Sequence, residues 1–233
     1  MALCSALAVS SAAPQQQPGY KSFPSVAPGA EGQKRTPEFF VMIDPSHGGS
    51  DKGASLGGKL MEKDITLRLA RELRRELEER GIASRLLRES DVDLSLDRRA
   101  EITNEQRAGI YVALHAARPG RGVRVYAPLL VSAQQTPAGR FLPWDSAQSG
   151  ALSRSQAVAR AVTEQLRKRG LTVASLGMPV RPLNNVTAPA IAVELAPDQD
   201  DPQSQETQRR QNSVTSAIAL GIAEIRSQMG SRP

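Results

Sequence analysis

The sequence predicts an α/β fold, a single layered domain in which helices flank a twisted, mostly parallel sheet. Short, continuous apolar runs such as 39–43, 110–114 and 190–193 are typical of strands that are buried on both faces. Between these runs lie longer segments in which apolar residues recur at helical spacing, so strands and helices alternate along the chain. Alternation of this kind indicates parallel strands that are joined by crossover helices.

The first half of the domain begins with the apolar run 39–43, which ends in a loop dense in turn residues. An amphipathic helix is predicted over 64–80, where apolar residues fall four apart and Gly81 ends the pattern. A second strand is expected over 82–87 and a second helix over 95–107. The residues expected to point inward are Ile65, Leu69, Leu73 and Leu77 on the first helix, and Leu96, Ala100, Ile102 and Thr103 on the second.

The second half repeats the alternation. Strands are predicted over 110–114, 123–127 and 190–193, and the segment 128–150 is expected to be an irregular excursion, because it has weak periodicity and several turn residues. A helix is expected over 151–169, where Gly170 ends it. The closing helix is predicted over 206–228, with an apolar face formed by Val214, Ile218, Ile222 and Ile225.

Composition divides the chain into an N-terminal segment, 1–37, and a folded domain, 38–233. The first 13 residues are apolar, small and uncharged, which resembles a secretory signal that lacks its basic region; an ordinary flexible N-terminus is the alternative. Residues 14–37 are rich in Gln, Pro, Gly and Ser and show no periodicity, which indicates a disordered linker.

The overall composition excludes several classes of protein. No stretch approaches the roughly 18 apolar residues that a membrane-spanning helix needs, and a single cysteine excludes a disulfide framework or a thiolate zinc site. Aromatic residues make up 3% of the chain, which disfavours binding of single-stranded nucleic acid. The net charge of +6 favours an anionic partner, although it could also reflect genome composition. Arginine pairs on predicted helices, at 74–75, 98–99 and 209–210, are interpreted as solvated faces.

Three residues able to bind a metal or act in catalysis stand at the ends of predicted strands. His47 follows the first strand closely, His115 follows the third, and Glu194 follows the last. Because sites in open parallel sheets form beyond the carboxyl ends of the strands, these side chains are expected to converge. A carboxylate at the end of a buried strand needs a partner, so Glu194 either serves the site or forms a buried salt bridge with an arginine.

Glu62 stands between the glycine-rich loop and the first long helix. It could simply favour the helix N-terminus as an acidic residue. Together with two imidazoles it would instead complete a His₂Glu set, which leaves a fourth tetrahedral position for water. A second carboxylate that does not bind the metal would then be the general base.

These residues lie in motifs that resemble the zinc-dependent N-acetylmuramoyl-L-alanine amidases of the bacterial cell wall, the class of the division amidases and autolysins. The apolar strand with Asp-Pro-Gly-His-Gly-Gly appears as Val41-Met-Ile-Asp-Pro-Ser-His-Gly-Gly49, and Glu-Lys-Asp at the start of a long helix appears at 62–64. An arginine, an acidic stretch and Leu-x-x-Arg follow between Arg88 and Arg99. Ser-Ile-His-Ala-Asn appears as Ala-Leu-His-Ala-Ala over 113–117, and Pro-Ala-x-x-Val-Glu-Leu appears over 189–195. The resemblance covers about residues 38–228.

The resemblance implies that His47, Glu62 and His115 hold one Zn²⁺ and that Glu194 is the general base. The implied reaction is hydrolysis of the amide between N-acetylmuramic acid and L-alanine in peptidoglycan. It also implies a periplasmic or extracellular protein, a monomer with no transmembrane segment and no nucleic-acid partner, on which an activator or recruiting protein could act. Ser46 and Ala117 depart from the family pattern, where glycine and asparagine are usual.

Two alternatives stay open at this point. The chain could be a wall-binding module that keeps the fold but has lost turnover, which predicts zinc-independent binding and no product. It could also be a zinc carboxypeptidase that acts on stem peptides, which predicts a dedicated arginine for the substrate's terminal carboxylate. A basic nucleic-acid-binding protein is a distant third, because the chain carries no recognition motif of that class.

Overall fold

The computed structural model describes residues 39–56, 60–117, 122–130, 144–196 and 204–230. Within these ranges it contains six strands, four α-helices and two short 3-10 helices, at Trp144–Gly150 and Leu183–Asn185. The strands are β1 (Phe40–Pro45), β2 (Ala83–Leu86), β3 (Ile110–Ala116), β4 (Val123–Pro128), β5 (Val173–Met178) and β6 (Ala190–Leu195). The helices are α1 (Glu62–Glu78), α2 (Leu96–Glu105), α3 (Leu152–Lys168) and α4 (Gln205–Gly230).

The six strands form one mixed sheet in the order β2-β1-β3-β6-β4-β5. All neighbouring pairs are parallel except β4 and β6, which run antiparallel. The carboxyl ends of β1, β3 and β6 therefore lie side by side at one edge of the sheet. The predicted α/β fold with a mostly parallel sheet is confirmed.

The two faces of the sheet are covered unequally. On one face, α1, α3 and α4 cover a large apolar core built on alternate residues of the central strands, such as Val41, Val112 and Val193. On the other face, α2 and the second 3-10 helix cover a smaller cluster that includes Met42, Tyr111 and small alanines. Because side chains alternate along a strand, this thinner side receives the polar residues at the ends of β1, β3 and β6.

Nearly all the predicted elements are present, with ends that shift by a few residues, but the strand β5 was missed. Its sequence, Val-Ala-Ser-Leu-Gly-Met, is uncharged, yet five of its six residues are exposed at the edge of the sheet. A strand that is exposed along its length shows neither a buried run nor a clear alternation. The signals that predicted the other five strands were therefore absent.

One prediction about the inward face of α2 is wrong. Leu96 is 47% exposed, whereas Ala100 and Thr103 are buried as expected. Ser95 caps the helix, since its hydroxyl accepts a hydrogen bond from the backbone N–H of Arg98. Leu96 is thus the first helical residue and faces a cleft rather than the core.

Two sequence-based expectations lie outside the described residues. They are the disordered segment 1–37 and most of the irregular excursion over 128–150. Among the helices that the structure describes, none is long and apolar enough to cross a lipid bilayer.

Helices α3 and α4 pack tightly at Gly221, where a larger side chain should lower stability. A Cβ on Gly221 would lie 2.8 Å from both the Cα and the backbone nitrogen of Val162, so the helices would have to move apart. Alanine is normally preferred over glycine in a helix by about 1 kcal/mol. We nevertheless expect Gly221→Ala to lower the free energy of unfolding by about 1–3 kcal/mol, the usual cost of overpacking, in urea denaturation.

Gly150 provides the control, because a Cβ at that position would meet no atom within 4 Å. Gly150→Ala should leave the free energy of unfolding unchanged or slightly raised. A Gly221→Ala variant as stable as Gly150→Ala would contradict the proposed close contact.

Candidate metal centre and cleft

Strand register brings His115 and Glu194 next to each other. In the parallel pair β3–β6, His115 is the direct partner of Glu194, so both side chains leave the same face of the sheet. Asp44, near the end of β1, belongs to the same face, as the neighbouring Tyr111 shows by its hydrogen bond to Asp44. The predicted convergence of strand ends is therefore present in the backbone.

The loop after β1 holds His47 in an unusual backbone conformation. His47 has a φ of 64°, and the next residue, Gly48, has a φ of 139°. A non-glycine residue in the left-handed region costs on the order of 1–3 kcal/mol and persists only where its surroundings hold it. Here Nη2 of Arg99 donates to the carbonyl of His47 at 2.8 Å. A Cβ at Gly48 would lie 2.3 Å from the carbonyl oxygen of Val92, so the turn requires glycine.

Glu62 is the first residue of α1, and its carboxylate points into the protein rather than to solvent. Its side chain is 5% exposed. The oxygen Oε2 accepts the backbone N–H of Ala54 at 2.9 Å, and Oε1 accepts that of Ala116 at 3.0 Å. One carboxylate thus joins the glycine-rich loop, the start of α1 and the end of β3. This arrangement favours the functional interpretation of Glu62 over a purely helix-capping one.

Both imidazoles contact the same carboxylate. Nε2 of His47 lies 3.2 Å from Oε2 of Glu62, and Nδ1 of His115 lies 3.0 Å from Oε1. One donor atom from each of the three residues lies within 4.8 Å of the others, so the set could hold a metal ion. Two neutral nitrogens and one carboxylate oxygen are ligands that Zn²⁺ accepts in open catalytic sites. The residues that the sequence predicted as ligands are therefore together and chemically fit for the role.

The pKa values of the cluster reflect this mutual contact. Burial alone would raise the pKa of Glu62, but hydrogen bonds from His115, His47 and two backbone amides outweigh it and hold the pKa far below its usual range. The hydrogen bond to Glu62 raises the pKa of His47 against the opposing effect of burial, and Asp51 raises it further. Glu62 is thus ionised throughout the physiological range and available as an anionic ligand.

The second nitrogen of each imidazole also has a partner. Nδ1 of His47 lies 2.8 Å from Oδ2 of Asp51, and Nε2 of His115 lies 2.9 Å from the hydroxyl of Ser46. Partners of this kind fix the tautomer and ring orientation of metal-binding histidines. Because these nitrogens have other partners, Nε2 of His47 and Nδ1 of His115 are the atoms that face Glu62 and that would bind a cation. No pattern in the sequence had indicated these roles for Asp51 and Ser46.

Glu194 lies beside the cluster but not in it. Arg124, its antiparallel partner on β4, donates to Oε1 at 2.5 Å, and the hydroxyl of Tyr126 donates to Oε2 at 2.7 Å. Burial, with the bond to Glu194, raises the pKa of Tyr126 to about 12, so its hydroxyl keeps its hydrogen. The salt bridge that was an alternative for Glu194 is therefore present. Glu194 nevertheless occupies the position on β6 that pairs with His115 on β3.

A buried ionic network lies beneath the cleft. Arg99 and Tyr111 both donate to the carboxylate of Asp44, and all three side chains are almost fully buried. Burial and the neighbouring Asp44 raise the pKa of Tyr111 well above its usual value. The interpretation of the 98–99 arginine pair as a solvated face is wrong for Arg99, because helix periodicity carries no signal for a charge that points inward.

The imidazoles open onto a cleft of about 380 Å³ on the thinly covered side of the sheet. Leu96 and Pro182 contribute apolar surface to its lining, and Arg181 also lines it. Arg181 is half exposed and forms an ion pair with Asp97. The cleft thus combines apolar side chains with polar groups that include both imidazoles, which is typical of a ligand-binding site.

Comparison with known proteins identifies the family of this domain. The family profile described as N-acetylmuramoyl-L-alanine amidase matches residues 41–224. The germination-specific N-acetylmuramoyl-L-alanine amidase of Bacillus subtilis is 27% identical over 216 residues, which is 83% of this chain and 82% of that protein. The amidase AmiC of Escherichia coli O6:H1 is 35% identical over 129 residues, 53% of this chain but 30% of AmiC.

Solved structures of amidases support the same family assignment. The amidase AmiC2 of Nostoc punctiforme superposes with a TM-score of 0.62 at 27% identity and covers 82% of this chain and 98% of its own. The region that the family profile matches, 41–224, includes the strand that precedes His47, the helix that starts at Glu62 and the strands that carry His115 and Glu194. The chain belongs to the N-acetylmuramoyl-L-alanine amidase family, whose chemistry is hydrolysis of an amide bond in peptidoglycan.

Proposed function

We propose that this chain hydrolyses the amide between the lactyl group of N-acetylmuramic acid and L-alanine, with one zinc ion held by His47, Glu62 and His115 and with Glu194 as general base. The observation that carries the proposal is the buried carboxylate of Glu62 between two imidazoles that line a cleft, in a member of this family. When bound, zinc would supply the Lewis acidity that activates water and polarises the scissile carbonyl.

The protein's own residues perform the remaining tasks. Glu62 supplies the negative charge that a divalent cation requires, and Asp51 holds the ring of His47 in place. Glu194 accepts the proton of the attacking water and passes it to the leaving amine. Arg124 and Tyr126 each use one hydrogen bond to orient the carboxylate, and each oxygen retains a second lone pair for that proton.

The cleft disfavours a carboxypeptidase. That enzyme would need an arginine whose charge is unpaired for the substrate's terminal carboxylate, but both arginines among the described residues of the lining are paired with aspartates. Arg181 forms an ion pair with Asp97, and Arg99 is buried against Asp44. An internal amide of the stem, which brings no terminal carboxylate to the reacting centre, fits these charges better.

The same atoms also show the hydrogen-bond order of a Ser-His-Glu triad, since Ser46, His115 and Glu62 are linked at 2.9 and 3.0 Å. Two observations favour the metal site. Ser46 is 6% exposed, and Glu62 accepts a hydrogen bond from His47 as well, which a triad does not require. Removal of metal by a chelator distinguishes the metal-dependent mechanism from the serine hydrolase, because a serine hydrolase would continue to turn over without metal.

The proposed setting follows from the substrate. Peptidoglycan lies outside the cytoplasmic membrane, so we propose export of the chain to the periplasm or the cell surface, with 38–233 as the catalytic domain and 1–37 as its N-terminal segment. We propose a monomer that an activating or recruiting protein can engage, with no nucleic-acid partner.

The primary test is digestion of purified sacculi with the full-length chain, followed by mass spectrometry of the soluble products. We expect intact stem peptides with a free N-terminal L-alanine, and none when a chelator is present. A non-catalytic wall-binding module would bind sacculi and release nothing. Trimming at the C-terminal end of the stems would show the carboxypeptidase, and product that resists chelation would show the serine hydrolase.

The ligand assignment predicts that His47→Ala, Glu62→Ala and His115→Ala each abolish stoichiometric zinc binding. Each substitution removes one of three donors, and the remaining two cannot complete an open catalytic site. Elemental analysis of the purified variants measures the zinc content. Glu79→Ala, at the exposed C-terminal end of the same helix as Glu62, is the control and should keep one equivalent. Full zinc content in all three ligand variants would remove the proposed site.

The general-base assignment predicts that Glu194→Gln lowers kcat by about 10²–10⁴-fold, the usual contribution of a positioned base. Glutamine keeps the shape and an acceptor for Tyr126 but cannot take up the proton. Zinc content should stay at the level of the unsubstituted chain, because Glu194 lies outside the ligand cluster. Turnover at the unsubstituted rate would exclude this role.

A further inference from the structure

We propose that Ser46 is a positioning residue for the metal centre, whose hydroxyl holds the ring of His115 so that Nδ1 is presented to zinc. The inference rests on the proposed function and concerns a position where this chain carries serine in place of the glycine of the family pattern. The proposed role of Ser46 is to act through His115 rather than to bind the metal itself.

The position of the Ser46 hydroxyl is fixed by its backbone. The N–H of Ser46 donates to the carbonyl of Leu114 at 3.2 Å, which ties the loop to the end of β3. The carbonyl of Ser46 accepts from Oγ1 of Thr66 at 2.8 Å and from Nη2 of Arg88 at 3.2 Å. With the residue 6% exposed, the hydroxyl has little freedom except rotation about its own bond. It contacts Nε2 of His115 at 2.9 Å.

A hydroxyl is suited to this position because it can both donate and accept. When Nδ1 of His115 donates to Oε1 of Glu62, as the 3.0 Å contact implies for the metal-free protein, Nε2 is an acceptor and Ser46 donates to it. When Nδ1 instead offers its lone pair to a cation, the ring's hydrogen must stand on Nε2, and Ser46 accepts it. The ring therefore stays bonded and oriented in both states, which glycine or alanine cannot achieve.

The backbone explains how serine is accommodated. Ser46 does not have a positive φ, whereas four later residues of this loop do: His47, Gly48, Gly49 and Gly53. A side chain at position 46 therefore costs no backbone strain. His47 already has an outer partner in Asp51, so Ser46 gives the second imidazole the equivalent support, with a neutral group in place of an anion.

The test measures zinc affinity in the full-length chain by competition with a fluorescent chelator. Loss of an outer partner of a metal-binding histidine typically weakens metal binding by about 10–100-fold. We expect Ser46→Ala and Ser46→Gly to raise the Kd for zinc by that factor, and Ser46→Thr, which keeps the hydroxyl, to recover most of the loss. Glycine is the residue of the family pattern, so Ser46→Gly remains informative if the alanine variant fails to fold.

Ser50→Ala is the matched control. Its hydroxyl lies in the same loop and donates to Asp93 at 3.1 Å, without a described contact to either imidazole. Its zinc affinity should equal that of the unsubstituted chain. The absorption spectrum of the cobalt-substituted protein gives a second readout, because a reoriented His115 should shift the visible bands in Ser46→Ala and not in Ser50→Ala.

The outcomes separate this proposal from the proposed function. Stoichiometric zinc in the unsubstituted chain with an equal Kd in Ser46→Ala would overturn the role of Ser46 and leave the metal site standing. An equal loss in Ser46→Ala, Ser46→Thr and Ser50→Ala would overturn it as well, since loop packing would then be the cause. Absence of zinc from the unsubstituted chain would overturn both.

Discussion

The carboxylate of Glu62 is the interaction on which the rest of the site depends. An ionised carboxylate is costly to bury unless it is paired and hydrogen-bonded, and here two imidazoles and two backbone N–H groups meet it. Those partners come from the loop between β1 and α1, at His47 and Ala54, and from the end of β3. Because one carboxylate bonds to all of them, it fixes how this loop, the start of α1 and the end of β3 are placed.

Two buried arginines add hydrogen bonds to the backbone at the start of the surrounding loop. Arg88 donates to the carbonyls of Pro45 and Ser46, and Arg99 donates to those of Pro45 and His47. A guanidinium has five N–H groups in a rigid fork, so one side chain can bind several carbonyls that no strand reaches. The positive φ of His47 is held by this arrangement, which presents its imidazole to Glu62.

The sequence predicted the elements whose apolar residues follow a regular spacing or form a continuous run. Five strands and four helices followed from apolar runs and helical spacing, and strand ends indicated His47, His115 and Glu194. It could not predict β5, because an exposed edge strand needs no apolar pattern. Nor could it predict the inward charge of Arg99 or the outer contact of Ser46. Those depend on which loop carbonyls and ring nitrogens meet in space, and residues far apart in sequence decide that.

The arginine charges around the cleft are paired with carboxylates, although the protein as a whole is basic. Arg99 pairs with Asp44, Arg124 with Glu194, and Arg181 with Asp97. The net charge of +6 therefore does not arise from these three arginines, since each is paired with a carboxylate. A distributed positive charge attracts an anionic polymer over about a Debye length and weakens with salt. The paired arginines do not provide a strong binding site for one particular carboxylate of the substrate. Selection of the bond to be cut then depends on the shape of the cleft and on the position of the reacting groups.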